Sequence, residues 1–228
     1  REFDLYVPTE IVIITPQGSQ VDRDSDLIIN GSLLDIQNRP LSGRTISVFV
    51  GENDGSPDYF VDTDESGLFT LSLKVPEDQI LGELDITLSF EGDDFNLTSE
   101  SVSRWYVFSS TLVVIDDLSP VTLGENVTIA GEIYDSLGIP LNNHQIHLYF
   151  DGNRIKIINS SDDGSWSYEW PIPPGTDWGE HTIGAVSVLQ GYYRESSAET
   201  SLFVAHRTEL EFSFDSDSAV RGSGWNIT

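Results

Sequence analysis

The sequence contains no cysteine and no methionine among its 228 residues. Without cysteine, the chain can form no disulfide, no thiolate nucleophile and no cysteine-ligated zinc site. Without methionine, it does not read as a complete translated frame, so we expect a processed protein or an excerpt from one. No apolar run approaches the roughly 20 residues that cross a membrane as a helix, and no signal peptide is visible at the start.

Basic residues are also scarce. Only 11 Lys and Arg stand against 38 Asp and Glu, which gives a formal net charge of -27. Such a surface repels phosphate backbones and anionic lipids, so neither nucleic acid nor a membrane surface is expected as a partner. The acids are interleaved with aromatic and β-branched residues, which favours a folded chain over a disordered one.

A helical period is missing as well, and alternation of apolar and polar residues takes its place. Between Gly67 and Pro76, for example, every second residue from Phe69 to Val75 is apolar, which is the period of a half-buried strand. Turns containing Gly, Asp and Pro separate such segments. In the first half of the chain the predicted strands are 11–15, 26–35, 44–50, 68–75, 84–91 and 101–108.

The second half of the chain repeats the first. Gly, Asp, Pro and Leu at positions 31, 35, 40 and 41 recur at positions 131, 135, 140 and 141. The apolar residues of 46–50 recur at 146–150, and those of 69–75 recur at 166–172. This period predicts one domain over 9–109 and a second over 110–207. By the same pattern, 1–8 is predicted to be the closing strand of a preceding repeat, and 208–228 the first strands of a third.

About seven short strands per repeat, bounded by turns, predict an all-β fold of two tandem immunoglobulin-like β-sandwiches with partial flanking repeats. The Cys…Trp…Cys pattern of antibody domains is absent. We therefore expect aliphatic and aromatic residues alone to hold each core together.

Several motifs occur in the same order in both halves. Gly-x-x-x-Asp…Pro-Leu is followed by an acidic turn at 63–69 or 161–166, by Pro76 or Pro173, by Gly82 or Gly179, and by a glycine-containing turn at 90–95 or 190–193. This order resembles tandem Ig-like repeats of prokaryotic cell-surface and surface-layer-type proteins, and the acidic balance with sequons resembles archaeal surface proteins in particular. The resemblance covers nearly the whole chain and brings no catalytic residues with it.

Such a resemblance implies an extracellular or cell-surface structural role. The leading prediction is a non-catalytic repeat module of a shaft, stalk, filament or surface layer, which acts as a semi-rigid spacer because the predicted junctions have almost no linker. The expected partners are neighbouring repeats or copies of the chain itself, and a surface protein or glycan. Two alternatives stay open: an adhesin or glycan- or protein-binding module that uses domain-tip loops, and an accessory arm of a larger secreted enzyme.

Asparagine glycosylation is the strongest chemical signal in the sequence. Five Asn-x-Ser/Thr sequons occur, against about two expected by chance from the composition. The predicted strand pattern turns the first toward solvent and places two others in loops. The predicted acceptors are Asn30, Asn96, Asn126, Asn159 and Asn226.

Calcium is the one cofactor that the composition raises, because it binds about six to eight oxygen ligands. No acidic run has the spacing of an EF-hand loop, and clusters arise freely in a chain this acidic. Solvated turns and strand ends are therefore the favoured interpretation, with no metal residue assigned. The acidic clusters considered are Asp22, Asp24 and Asp26, then Asp62 and Asp64, Asp93 and Asp94, and Asp116 and Asp117.

Histidines and tryptophans give no catalytic or binding site from sequence. His144 and His147 lie three apart in a predicted strand, so they point to opposite faces and cannot chelate one metal. His181 replaces an apolar residue of the first repeat and is predicted at the edge of the core. Trp166 and Trp170 share one strand face, which favours core packing over an exposed sugar-stacking surface.

Overall fold

The computed structural model describes residues 6–52 and 55–207, and within them every regular element is a strand. The first eight strands form one β-sandwich, here called the N-terminal sandwich. Its strands are β1 (Thr9–Ile13), β2 (Ser19–Asp22), β3 (Asp26–Asp35), β4 (Thr45–Val50), β5 (Tyr59–Asp62), β6 (Leu68–Lys74), β7 (Gly82–Phe90) and β8 (Ser99–Phe108).

The next eight strands form the C-terminal sandwich. They are β9 (Thr111–Ile115), β10 (Val121–Thr122), β11 (Asn126–Asp135), β12 (Gln145–Phe150), β13 (Asn153–Asn159), β14 (Ser165–Pro171), β15 (Gly179–Ser187) and β16 (Ser196–Ala205). The predicted closing strand over 1–8 falls partly outside the described residues, and the predicted third repeat over 208–228 falls wholly outside them.

Both sandwiches have the same topology. A three-stranded sheet of order β1-β3-β6 faces a five-stranded sheet of order β2-β8-β7-β4-β5, and β9-β11-β14 faces β10-β16-β15-β12-β13 in the same way. The pairs β2–β8 and β10–β16 are parallel, and the other named pairs are antiparallel. The predicted fold class, tandem Ig-like β-sandwiches, is therefore confirmed.

Sequence periodicity missed four strands: β2 and β5, with their counterparts β10 and β13. Strands β2 and β10 are short, and they pair only with the last strand of their own sandwich. Strands β5 and β13 are edge strands with largely exposed side chains. An edge strand that buries no continuous face lacks the alternation by which strands are recognised.

The two cores lie where the alternating residues predicted them. Ile29, Leu33 and Ile46 are fully buried in the N-terminal sandwich, as their counterparts Ile129, Ile133 and Ile146 are in the C-terminal one. Trp166 and Trp170 are buried in the C-terminal core. Core packing is thus the confirmed role of these two tryptophans, and they form no exposed stacking surface.

The repeated glycine at 31 and 131 is required by close packing between strands. A Cβ atom on Gly131 would lie 1.9 Å from the carbonyl oxygen of Val114 and 2.6 Å from the Trp166 ring. On Gly31 it would lie 2.3 Å from the Phe69 ring. Each glycine lies on the central strand of its three-stranded sheet, β3 or β11. Without a side chain there, the aromatic ring of one neighbouring strand (β6 or β14) can pack over the glycine, close to the backbone of the other (β1 or β9).

Aromatic residues fill a region of the C-terminal core that stays open in the N-terminal one. The Phe150 ring lies 4.7 Å from that of Trp170 and 4.8 Å from that of His181, centroid to centroid. The corresponding residues of the N-terminal sandwich are the smaller Val50, Leu73 and Leu84. They line a cavity of about 200 Å³.

Gly131→Ala tests the close packing at this position. We expect it to destabilise the C-terminal sandwich by about 3 kcal/mol, because the new methyl group must displace backbone and a buried ring. Gly175→Ala is the matched control, since its Cβ position has no atom within 4 Å in the part of the chain that the structure describes. Denaturant unfolding would measure both, and equal midpoints for the two variants would contradict the packing argument.

His181 should make the C-terminal sandwich pH-dependent. Its Nδ1 lies 2.7 Å from Asp151 Oδ2 and its Nε2 lies 2.9 Å from the carbonyl oxygen of Asp177, so both nitrogens face acceptors. The hydrogen bond to Asp151 raises the pKa of His181 above its usual 6.5, outweighing the burial of the ring. The stabilisation is therefore complete below about pH 6.5 and is lost as the pH rises through the higher folded-state pKa.

His181→Leu, which installs the residue of the equivalent position 84, should abolish this dependence. The difference in thermal midpoint between wild type and variant should shrink as the pH rises above 6.5. Burial lowers the pKa of His144 and of His147, so their effects fall below pH 6.5 and separate from that of His181. A difference that stays constant across this range would contradict the assignment.

Candidate functional site at the junction between the sandwiches

The connection between the sandwiches is short and is held by backbone hydrogen bonds of Ser109. Only Ser109 and Ser110 separate β8 from β9. The Ser109 amide donates to the carbonyl oxygen of Tyr192 at 2.9 Å, and its own carbonyl oxygen accepts from the Arg194 amide at 2.8 Å. Ser109 is completely buried. The linker is therefore held like a strand residue against the next sandwich and does not act as a tether.

Arg194 of the C-terminal sandwich reaches across to the N-terminal one. Its Nε donates to Asp22 Oδ1 and a terminal nitrogen donates to Gln20 Oε1, each at 2.7 Å. Its guanidinium carbon lies 4.1 Å from the centre of the Phe108 ring. Arginine suits this place because one planar group can pair with a carboxylate, hydrogen-bond an amide and stack on an aromatic ring.

A second arginine makes the reverse crossing. Arg23 of the N-terminal sandwich donates to Asp135 Oδ2 at 3.3 Å and to the carbonyl oxygen of Gln79 at 2.7 Å. The side chains of Arg23 and Asp135 are 10% and 4% exposed. Removing one partner of so buried a pair leaves an uncompensated charge, which typically costs about 3–5 kcal/mol.

Asp135 also shapes its own sandwich. Its Oδ1 accepts from the amides of Leu137 at 2.8 Å and Ile139 at 2.9 Å, which holds the turn after β11. One buried carboxylate therefore fixes both a turn and the ion pair to the neighbouring sandwich.

An aromatic contact completes the junction. The Tyr192 ring meets the Phe108 ring edge to face at 5.6 Å between centroids. It also lies over Gly82, where a Cβ atom would come 3.2 Å from it. Two ion pairs, backbone hydrogen bonds and an aromatic contact thus join the two sandwiches at the junction.

The sequence did not reveal this site. The junction residues lie in loops and strand ends, and Asp22 and Arg194 are separated by 172 positions. The available signal was the scarcity of cations: in a chain with only 11 Lys and Arg, each arginine at a strand end is a candidate for a structural pair.

The predicted glycosylation sites differ in exposure. Asn30, Asn126 and Asn159 are exposed. Asn30 accepts a hydrogen bond from Thr70, while Asn126 donates one to Glu169 and Asn159 donates one to Asn143. The fourth, Asn96, is 8% exposed, and its side-chain nitrogen donates to both carboxylate oxygens of Asp93.

Asn96 lies in a loop between β7 and β8, as predicted, but its side-chain nitrogen is held against Asp93. Exposure favours the other three described acceptors. Asn159 is the last residue of β13 rather than a loop residue. Asn226 lies outside the described residues.

Five of the nine aspartates considered for calcium have other partners. Asp22 pairs with Arg194, Asp24 with Lys74 and Asp93 with Arg44. Asp62 accepts from Thr45, and Asp64 accepts two backbone amides of its own turn. Across the described residues, no group of three or more His, Asp or Glu is placed to hold a metal ion.

The histidines are separate from one another. The Nε2 of His144, a buried residue, lies 3.1 Å from the carbonyl oxygen of Val188, while that of His147 lies 3.0 Å from Gln145 Oε1. His181 lies at the edge of the core, as predicted. Trp178, in contrast to the buried tryptophans, is 73% exposed. In the part of the chain that the structure describes, no helix is long and apolar enough to cross a membrane.

No protein-family model matches the sequence, and no curated protein matches it. Among solved structures, the chain is similar to the Escherichia coli adhesin FdeC, at 15% identity, a TM-score of 0.44, and coverage of 86% of this chain and 64% of that one. It is similar to a three-Ig-domain structure of titin at 13% identity and a TM-score of 0.43, over 86% and 66% of the two chains. It is also similar to fibronectin(III)-like modules of Clostridium thermocellum CbhA at 15% identity and a TM-score of 0.37, over 86% and 94%. Identities of this size concern the fold, and no enzyme family is indicated.

Proposed function

We propose that the chain is a non-catalytic structural repeat module that acts as a semi-rigid spacer in an extracellular shaft, stalk, filament or surface layer. The observation that carries the proposal is the junction, where Arg194 and Arg23 cross between the sandwiches in opposite directions. A spacer must hold successive domains at a fixed distance and orientation, and two ion pairs together with a short linker restrict the relative motion of the sandwiches.

The surface chemistry supports an extracellular place. A net charge of -27 keeps an extended protein in solution, and the exposed sequons suit a secreted setting. Surface-layer type and archaeal source rest on the same acidity and sequons. The segments 1–8 and 208–228 belong to flanking repeats in this proposal, and neighbouring repeats or further copies are the expected partners.

A binding module that uses the sandwich tips is the second candidate. Phe95 and Trp178 lie at opposite tips and are 70% and 73% exposed. Exposed aromatic rings at loop tips suit a glycan or a surface protein as ligand. The accessory-arm alternative has no comparable observation in its favour.

The junction can be tested by distance measurements between spin labels. Because the chain has no cysteine, Ser72→Cys and Ser167→Cys would supply the only two labelling sites, one exposed position on each sandwich. We expect one narrow distance distribution. Arg23→Ala with Arg194→Ala should broaden it, because both crossing pairs are then lost.

Arg154→Ala is the matched control, since Arg154 is an exposed arginine on the edge strand β13. It should leave the distribution unchanged. A broad distribution in the wild-type chain would contradict the spacer proposal.

We also propose glycosylation at Asn30, Asn126 and Asn159, the described sequons with exposed side chains. Intact mass measurement of native material should exceed the mass of the bare polypeptide, and each Asn→Gln variant should remove one glycan. Asn96→Gln should remove none, because its amide is buried against Asp93. A native mass equal to the polypeptide alone would refute the proposal.

A further inference from the structure

The two outer ends of the described chain correspond to the two faces that form the internal junction. We call the outer end of the N-terminal sandwich the leading pole, which consists of Tyr6, Ile36, Phe95 and Leu97. We call the outer end of the C-terminal sandwich the trailing pole, which consists of Pro120, Thr122, Leu123, Trp178 and Gly179.

Hydrogen bonds establish the equivalence at the leading pole. The Val7 amide donates to the carbonyl oxygen of Phe95 at 2.8 Å, and the Leu97 amide donates to that of Val7 at 2.9 Å. Ser109 makes the same two bonds at the junction with Tyr192 and Arg194. Phe95 and Leu97 therefore stand where the C-terminal sandwich has Tyr192 and Arg194.

Strand register establishes the equivalence at the trailing pole. Val121 pairs with Val204, and Gly179 pairs with that same residue. In the N-terminal sandwich, Val21 and Gly82 both pair with Val107. Pro120, Thr122 and Leu123 thus take the places that Gln20, Asp22 and Arg23 hold at the junction.

Both partners of the Arg194 contact are replaced together. Leu97 stands for Arg194 at the leading pole, while Thr122 and Pro120 stand for its acceptors Asp22 and Gln20 at the trailing pole. The arginine and both of its acceptors are therefore replaced by uncharged residues at the two poles.

The second ion pair is replaced in the same manner. Leu123 stands for Arg23 at the trailing pole. At the leading pole Asp35 corresponds to Asp135, but its Oδ2 is already paired with Arg39 of the same sandwich at 2.6 Å. The Asp35 carboxylate is therefore already paired within its own sandwich and does not need an arginine from a neighbouring one. The adjacent Ile36 is 68% exposed.

The two residues of the aromatic contact over glycine also have equivalents, one at each pole. At the junction, the ring of Tyr192 covers Gly82. At the poles, the equivalent Phe95 is 70% exposed, and no atom of the described residues lies within 4 Å of the Cβ position of the equivalent Gly179. Trp178 beside Gly179 is exposed too, where the N-terminal sandwich has the partly buried Leu81.

We propose that the leading pole of one pair of sandwiches docks on the trailing pole of a second, like pair, with Phe95 over Gly179 and against Trp178. The flanking repeats of the proposed array belong to such like pairs, and separate copies of the chain present the same two poles. The contact is apolar, whereas the internal junction is ionic. Its two faces differ, so it is head-to-tail and extends into a fibre when the rotation does not close a ring. This inference rests on the proposed spacer function and adds that the repeating unit is the pair of sandwiches.

Sedimentation velocity of the full chain, from micromolar to millimolar concentration, tests the proposal. We expect end-to-end oligomers whose formation increases with salt, because salt screens the repulsion between copies of charge -27 and does not weaken an apolar contact. Phe95→Ser should weaken association about tenfold or more, since it removes the aromatic ring that docking would bury. Phe60→Ser, at an exposed aromatic residue of the edge strand β5, is the control and should change nothing.

A charge swap makes the test specific to the poles. Leu97→Arg alone should abolish association, and Leu97→Arg combined with Thr122→Asp should restore it by rebuilding the pair that Arg194 and Asp22 form at the junction. A monomer at every concentration, or association that survives Phe95→Ser, would overturn the proposal. Neither outcome depends on the internal junction, so the spin-label distances would still decide the spacer function separately.

Discussion

The arrangement of the chain depends on the buried carboxylate of Asp135. One of its oxygens holds the turn after β11, and the other receives Arg23 from the neighbouring sandwich. The turn is local and belongs to the fold of one sandwich, whereas the ion pair fixes how two sandwiches meet. Because one rigid group does both, the orientation of the junction is coupled to the folding of the C-terminal sandwich.

The N-terminal sandwich shows what happens when only one of these roles is kept. Asp35 holds its turn by the same two amide contacts, to Gln37 and Arg39, but its other oxygen pairs with the Arg39 side chain. The same residue at the same position thus supports an ionic junction in one repeat, while in the other it pairs within its own sandwich beside the exposed Ile36. Repeats with a common core can in this way differ in what they accept as a neighbour, because the residues that decide it lie outside the core.

Sequence alone predicted the core and not the junction. Alternation placed Phe69, Leu71 and Leu73 on one face, and the structure buries all three, because a strand with one buried face has a period that any window of the chain displays. Asn96 shows the limit of that reasoning: its turn was predicted, but the structure buries its side chain against Asp93. Which side chain a turn residue meets depends on tertiary contacts that no local pattern records.

Pairs that join distant positions are harder still. Arg194 and Asp22 come together only after two sandwiches have folded and met, so neither residue has a local signature. The internal repeat supplies what a single window cannot, because it compares the same position in two surroundings. The exchange of Arg194 for Leu97 and of Asp22 for Thr122 becomes meaningful once both sandwiches are aligned on their hydrogen bonds.

The central claim is that the crossing arginines hold the two sandwiches in one orientation. Residual dipolar couplings of backbone amides, measured for the intact chain in a weakly aligned medium, test this most directly. The account predicts that a single alignment tensor fits the couplings of β1–β8 and β9–β16 together. Two tensors of different magnitude, one for each sandwich, would show independent motion and contradict it.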